Sequence, residues 1–320
     1  MWHIYWRFFG LTLHTRYARI RLIFTFQTRN IMRKQETTNT GFSLSYSSKQ
    51  LSTKLYQCLL FACCISILLL SGCRRDDDTV VLVDQEEFSA MDRQIISDYL
   101  QNEIDNNASF TLLNPVSTSE IAAFYEYLDR NYQTLIRTDR VLNRDKLNWS
   151  IHILKDDEIK NTFITPGGAM YITTGMLKTI QTEHELVNIL AHEISYADSD
   201  VLINKLKELY DGTVLFEIIA GKNPPELIKM AEGLQNIHYS ESEVLDADSY
   251  AVDIICDFLY DPHGMRDFLY RVMETGEDLI WLKNRPSSND RPILVEQSAS
   301  GCGPGSTFES RYQMFVAKLP

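Results

Sequence analysis

Leu186-Val187-Asn188-Ile189-Leu190-Ala191-His192-Glu193-Ile194-Ser195-Tyr196 is the stretch on which the fold of this chain turns. Its apolar residues recur at the three-to-four spacing of a helix that buries one face. His192 and Glu193 stand side by side on it. In the pattern His-Glu-x-x-His, two histidines one helical turn apart hold a zinc ion, and the glutamate activates the metal-bound water. Here the second histidine is replaced by Tyr196. The stretch therefore implies a metal-hydrolase scaffold and, at the same residues, an incomplete metal site.

Outward from this helix the chain reads as follows. Thr182-Glu183-His184-Glu185 has the form of a capping box that starts it. His184 lies two turns before His192, too far along the axis to share a metal with it, and is expected at the surface. Asp200 is equally remote on the other side. Leu147 to Leu154 alternates like a half-buried strand, with His152 on its polar side. Asn161-Thr162-Phe163-Ile164-Thr165-Pro166-Gly167-Gly168 ends in a turn, and the strand from Ala169 to Thr174 follows. A strand announced by Pro-Gly-Gly is expected at a sheet edge, where Gly167, Gly168, Ala169, Met170 and Tyr171 could pair with an extended peptide through main-chain hydrogen bonds.

Further helices are predicted from the capping box Ser117-Thr118-Ser119-Glu120, with Ile121, Phe124, Leu128, Tyr132 and Leu135 on one stripe, and from Val201 to Tyr210. Thr213 to Ala220 is apolar enough to be expected in the core. Pro224-Pro225 suits the first turn of a helix reaching about Ile237. Tyr239-Ser240 opens a helix carrying Glu241, Glu243, Asp246 and Asp248, with Val252, Ile255, Phe258 and Leu259 as its apolar face and Asp261-Pro262 as its end. Gly264 to Thr275 and Phe308 to Leu319 are also helical, and the tail between them is Pro/Ser/Gly-rich at Arg285 to Arg291 and at Gly301 to Ser306.

The 320 residues carry a net charge of −12, unevenly spread: residues 1–72 hold nine Lys/Arg against one acid, Glu36, so the remainder stands near −20. So acidic a body repels polyanions, which excludes a nucleic-acid partner. Residues 1–31 are aromatic and Arg-rich. They read either as a transit peptide or as an extension upstream of a start at Met32-Arg33-Lys34. Leu55 to Ser71 is almost wholly apolar and ends in Leu70-Ser71-Gly72-Cys73. A basic flank, an apolar core and small residues before a cysteine are similar to a bacterial lipoprotein signal, with Cys73 lipidated; the competing reading is a short membrane span. Arg74 rather than Asp after that cysteine favours the outer membrane. Val83 to Asn106 is helical but polar. Cys256 and Cys302 lack metal-site spacing, and a disulfide and two separate thiols both fit them.

Taken in order, these pieces resemble the HtpX- and BepA-type zinc metallopeptidases. Asn161 to Gly168 is similar to that family's strand-and-turn segment, Thr174-Gly175-Met176-Leu177 to the turn after it, and Glu185 to Ile194 to its metal helix. Tyr239 to Asp248 is similar to the helix bearing its Glu-x-x-x-Asp, and Arg285-Pro286-Ser287-Ser288-Asn289-Asp290-Arg291 to its His-Pro…Arg segment. The resemblance implies an α+β zincin-like domain, mostly helical, with a small sheet whose edge strand borders the active-site helix. It divides the chain into an extension and lipoprotein signal (1–72), a tether and N-terminal helix (73–117) and the metallopeptidase-like domain (118–320).

Carried over residue by residue, the resemblance places the zinc ligands at His192, Tyr196 and Val244, the general base at Glu193 and the aspartate that orients the first histidine at Asp248. Arg285 stands where the late segment has histidine. A catalytic zinc takes three protein ligands and water, yet Val has no donor atom and a phenol titrating near ~10 is a poor one. Glu243, one residue from Val244, is turned about 100° away; Asp246 and His238 are the other acids and bases at hand. Zinc is thus expected to bind weakly or not at all. The chain is then a silenced peptidase that keeps a peptide-binding edge strand, with His192 and Asp248 as a buried pair tying two helices together. The alternative is an active zinc endopeptidase with a rearranged ligand set. Either way the resemblance implies work on unfolded or extended protein segments at the cell envelope, on the periplasmic face of the outer membrane. Restoring both ligands, by Tyr196→His with Val244→Glu, is expected to create zinc binding.

Overall fold

The computed structural model describes residues 88–286 and 288–320. Cys73, the lipoprotein signal and the charged tether lie outside the described residues. The fold is organised around one helix, α4 (Glu183–Asp198), all sixteen residues of which are buried. A surface helix shows solvent one polar face; this one is enclosed on every side, which explains why its polar residues all need partners. Its N-terminus is capped by Thr182, whose hydroxyl accepts from the Glu185 amide at 3.4 Å. The reciprocal bond falls one residue early, because the Glu185 carboxylate accepts from the Gln181 amide at 2.9 Å.

Against α4 pack α2 (Ser119–Ile136), α8 (Glu241–Ile255), α9 (Gly264–Thr275) and the sheet. The sheet has three strands, β1 (Ser150–Leu154), β2 (Thr162–Ile164) and β3 (Ala169–Thr173), in the order β1-β3-β2. β1 runs parallel to β3, with Ser150 opposite Ala169 and Leu154 opposite Thr173. β2 runs antiparallel to β3, with Phe163 opposite Tyr171. A largely helical domain with a small mixed sheet is the α+β zincin-like architecture that the sequence implied, and the edge strand bordering α4 is β2.

The expectation that Gly167, Gly168, Ala169, Met170 and Tyr171 form an exposed edge is therefore corrected. β3 is the central strand and every one of its residues is buried. A side chain on Gly168, whose φ is +92°, would meet the Trp149 ring at 2.6 Å, and one on Gly167 would press on Ser97. The paired glycines let the turn approach its neighbours; they do not mark a free rim. Tyr132 donates its O–H to the Gly168 carbonyl at 2.8 Å, closing the same turn from α2.

Other local readings shift for local reasons. α1 (Ala90–Asn106) is polar outward but buries Ile96, Leu100 and Ile104 in the common core. Its Arg93 donates to the carbonyls of Ala197 and Ser199 at 3.1 and 2.9 Å, satisfying the end of α4. The N-cap of α2 is Thr118 rather than Ser117, accepting from the Ile121 amide at 3.2 Å. Within α6 (Gly212–Ile219) only Leu215 and Ile218 are buried, and Phe216 is stacked on Phe88 at 5.1 Å. α8 stops at Ile255, which leaves Leu259 80% exposed instead of on its apolar face. Two helices, α10 (Ile280–Asn284) and α11 (Arg291–Ala299), flank the Pro/Ser-rich segment from Arg285, and α12 (Glu309–Val316) closes the chain. Cys256 and Cys302 form a disulfide, with 5.2 Å between their Cα atoms, joining the end of α8 to the segment after α11. Among the described residues no helix is long and apolar enough to cross a membrane.

Candidate functional site

α4 and α8 lie along each other and bring their candidate residues to one place. His192 Nδ1 stands 2.8 Å from Asp248 Oδ1. An ionised carboxylate only accepts, so Nδ1 carries the proton and Nε2 is left with its lone pair. That lone pair accepts the Tyr196 O–H at 3.1 Å, one turn further along α4. The atom that would bind a metal is thus engaged by the residue that replaced the second histidine. The expected pairing of His192 with Asp248 holds. Asp248 also receives two bonds from Arg291, from Nε at 2.7 Å and Nη2 at 3.0 Å.

Glu193, the expected general base, does not face water. Its Oε1 accepts from the Trp281 indole at 2.8 Å and pairs with Arg285 Nη2 at 2.5 Å, while its Oε2 has no partner. The Arg285 guanidinium lies over three rings, 5.0 Å from Trp281, 5.2 Å from Tyr239 and 5.6 Å from Tyr196. Tyr196 and Tyr239 stack face to face at 3.8 Å. Trp281 also meets His192 edge-on at 5.3 Å and carries Arg291 over its ring at 5.4 Å. Val244 is fully buried on α8, one turn before Asp248. Every member of this cluster is out of solvent: His192 and Glu193 are 0% exposed, Tyr196 and Arg291 1%, Arg285 2%.

The protonation states follow from that burial. Desolvation lowers His192 to about 4, with the charges of Arg291 and Arg285 helping and Asp248 opposing. Burial would raise Asp248, but Arg291 and His192 outweigh it and hold the carboxyl at about 2. Burial pushes the Glu193 carboxyl up, and Arg285 and the Trp281 N–H pull it back. Arg285 stays above the ordinary arginine value because Glu193 outweighs its own desolvation. The contacts with Arg285 and Arg291 place both carboxyl groups as ion-pair partners, and with the neutral imidazole the two pairs leave the site without net charge.

The segment that supplies Trp281 and Arg285 is fastened across β2. Lys160 pairs with Glu277 at 2.7 Å, and the Trp281 amide donates to the Lys160 carbonyl at 3.2 Å. Asn284 donates to the Gln235 carbonyl at 2.7 Å and accepts from the Tyr239 amide at 2.9 Å. The remaining candidates lie elsewhere. Glu243 caps Ser240 and pairs with Lys205 at 3.2 Å, as its offset on α8 implied. His238 is exposed and bonds the Asn236 carbonyl. Asp200 precedes α5 (Val201–Tyr210) and faces Arg93 at 3.6 Å. His184 is buried, not at the surface, because α9 covers it and Asp267 meets its Nε2 at 3.2 Å. His152 is half-buried and stacks on Tyr171 at 4.9 Å.

The donor set does not fit a catalytic zinc. His192 Nε2 is hydrogen-bonded, position 244 has no donor, and Glu193 is ion-paired within an aromatic enclosure that Arg285 fills. Among the described residues no three His, Cys, Asp or Glu side chains converge as a metal-binding group. The sequence reading missed Trp281 and Tyr239 and took Arg285 only as a missing histidine. The available signal was the four-residue spacing of Trp281 and Arg285, which puts an aromatic and a cation on one side of a single turn.

Comparison with known proteins bears on the whole assembly. Residues 125–292 match the model of peptidase family M48. Metalloprotease LoiP of Escherichia coli is 20% identical over 251 residues, covering 73% of this chain and 94% of that protein. Mitochondrial metalloendopeptidase OMA1 of Bos taurus is 26% identical over 166 residues, covering 46% of this chain and 31% of that protein. The OMA1 of Schizosaccharomyces pombe is 32% identical over 191 residues, covering 54% of this chain and 56% of that protein. The chain thus spans nearly the full length of the bacterial relative but a third to a little over half of these two mitochondrial ones.

Proposed function

This chain belongs to peptidase family M48, a family that implies zinc, and from that membership we propose that it is a non-hydrolysing member anchored in the cell envelope. One observation carries the reading: the glutamate that should activate water is buried in an ion pair with Arg285 and a hydrogen bond from Trp281. A general base must reach the proton it abstracts, and Glu193, at 0% exposure, reaches none. The donor set at positions 192, 196 and 244 supports the same reading, since only one of the three offers a strong ligand.

Within the family the motifs favour the HtpX- and BepA-type branch. The Leu70-Ser71-Gly72-Cys73 sequence supports lipidation at Cys73 and residence on the periplasmic face of the outer membrane. The acidic body argues against nucleic acid. Extended segments are not assigned to Gly167–Tyr171, because that stretch turns into the central strand.

The test is direct. The full-length chain, purified in detergent, is analysed for bound zinc and incubated with a labelled unfolded protein, with and without a chelator. The expected result is no chelator-sensitive cleavage. Stoichiometric zinc together with chelator-sensitive cleavage establishes the active endopeptidase instead. Cys73→Ser is expected to move the protein from the membrane to the soluble fraction, and unchanged partitioning overturns the anchor.

A further inference from the structure

Resting on that reading and going one step beyond it, we propose that the Arg285 guanidinium is the resident cation of a converted metal centre, and that Tyr196, Val244 and Arg285 are one coupled change. The cluster holds two buried carboxylates. Each needs a positive neighbour, since an uncompensated buried charge is strongly destabilising. Arg291 serves Asp248 through two bonds. Arg285 serves Glu193. A single guanidinium neutralises a single carboxylate, and Val244 fits that count: a glutamate there, buried one turn before Asp248, would add a third carboxylate with no third guanidinium to balance it.

Tyr196 fits the same scheme. Its ring is one wall of the enclosure around Arg285, 5.6 Å from the guanidinium carbon, with Tyr239 and Trp281 as the others. Tyr196 and Tyr239 stack on each other at 3.8 Å, so the guanidinium lies against the side of that pair and of Trp281, and the three rings keep water from it. A planar, weakly hydrated guanidinium suits such an enclosure better than an ammonium does. The Tyr196 hydroxyl meanwhile takes the His192 lone pair. Tyr196 and Val244 each have a positive reason to be what they are, and both reasons depend on Arg285.

The consequence revises the expectation that two substitutions suffice to restore zinc. With Arg285 in place, Tyr196→His and Val244→Glu only build a ligand set around a position that a cation already holds.

Zinc itself is the probe. The full-length wild type, the Y196H/V244E variant and the Y196H/V244E/R285A variant are each dialysed against zinc, and metal per chain and affinity are measured beside a circular-dichroism check of folding. The triple variant is expected to take up zinc stoichiometrically, and the double variant to bind at least about 100-fold more weakly. Stoichiometric, equally tight zinc in the double variant overturns the proposal while leaving the wild type an inert protein. A folded triple variant that stays free of zinc overturns it as well. Stoichiometric zinc on the wild type overturns the proposal, and only zinc with chelator-sensitive cleavage sinks the non-hydrolysing reading itself. If the triple variant does not fold, melting temperatures decide. R285M is expected to melt well below wild type, and E193Q/R285M to recover a large part of that loss, because the charge that needed Arg285 is gone. No recovery means that Arg285 is not there to neutralise Glu193.

Discussion

Two turns of the same helix hold a buried glutamate paired with an arginine, and they differ in one respect. At the start of α4, Glu183 is 1% exposed and accepts from Tyr127 at 2.9 Å and Tyr260 at 3.0 Å besides its pair with Arg311. The Arg311 side chain is 43% exposed. In the middle of α4, Glu193 is wholly enclosed, and so is its arginine. The first pair has one charge in water and a carboxylate with spare donors. The second has no charge in water, and its carboxylate has only the Trp281 indole N–H as a further donor. A pair that reaches solvent can be broken and rehydrated; a sealed pair leaves a bare charge in a medium that cannot screen it. Enclosure, rather than the residue types, separates a modest structural contact from one on which the domain depends.

Breaking the sealed pair is expected to have the largest effect. Arg285→Met should cost on the order of 3–5 kcal/mol in urea unfolding, because Glu193 is left buried and unpaired. A loss under about 1 kcal/mol would mean that water reaches Glu193, and the contrast between the two turns would vanish. Next in size is acid. His192 titrates at about 4 in the folded chain against an ordinary 6.5. Between these values the unfolded chain binds a proton that the folded one does not, so stability is complete above about pH 6.5 and falls as pH drops towards 4. The drop should be on the order of 3 kcal/mol. Asp248, depressed from 3.8 to about 2, extends the loss below pH 4. His192→Gln should flatten the upper part of this profile, and an unchanged slope assigns it to another group.

Arg311→Met sharpens the comparison from the other side. Glu183 keeps two phenol donors and gains access to water, so the expected cost is about 1 kcal/mol and shrinks with added salt. Smallest of all should be the concerted change Glu193→Leu with Arg285→Leu. Replacing a sealed ion pair by apolar groups is often neutral or stabilising, so its stability should lie within about 1 kcal/mol of wild type, far above Arg285→Met alone. A double variant as unstable as the single one would show that the arginine acts through its packing.

The architecture was readable because periodicity and motif order report it. α4 and α9 lie where the sequence reading put them, α8 starts at its capping residue Ser240 but ends before Phe258 and Leu259, and Asp248 meets His192 as the family resemblance implied. Strand order was not readable. The sequence around Gly167 looks the same whether the following strand is at the edge or in the centre, since that depends on which strand hydrogen-bonds to its far side. His184 looked exposed because its own helix start is polar, and only the arrival of α9 buries it.

The amino-acid sequence by itself determined, through its motifs and the family they resemble, that the chain is a zincin-type α+β domain, and that Tyr196 and Val244 stand where that resemblance expects two metal ligands. Those properties are local: a helix period, a cap, a side chain without a lone pair. Only the tertiary structure decided what Glu193 and His192 meet. Arg285 and Trp281 come from a short helix and its end about ninety residues after Glu193, where a Pro/Ser-rich segment begins. Whether a buried carboxylate meets water, a metal or a guanidinium is set by long-range packing, and no residue spacing along the chain encodes it.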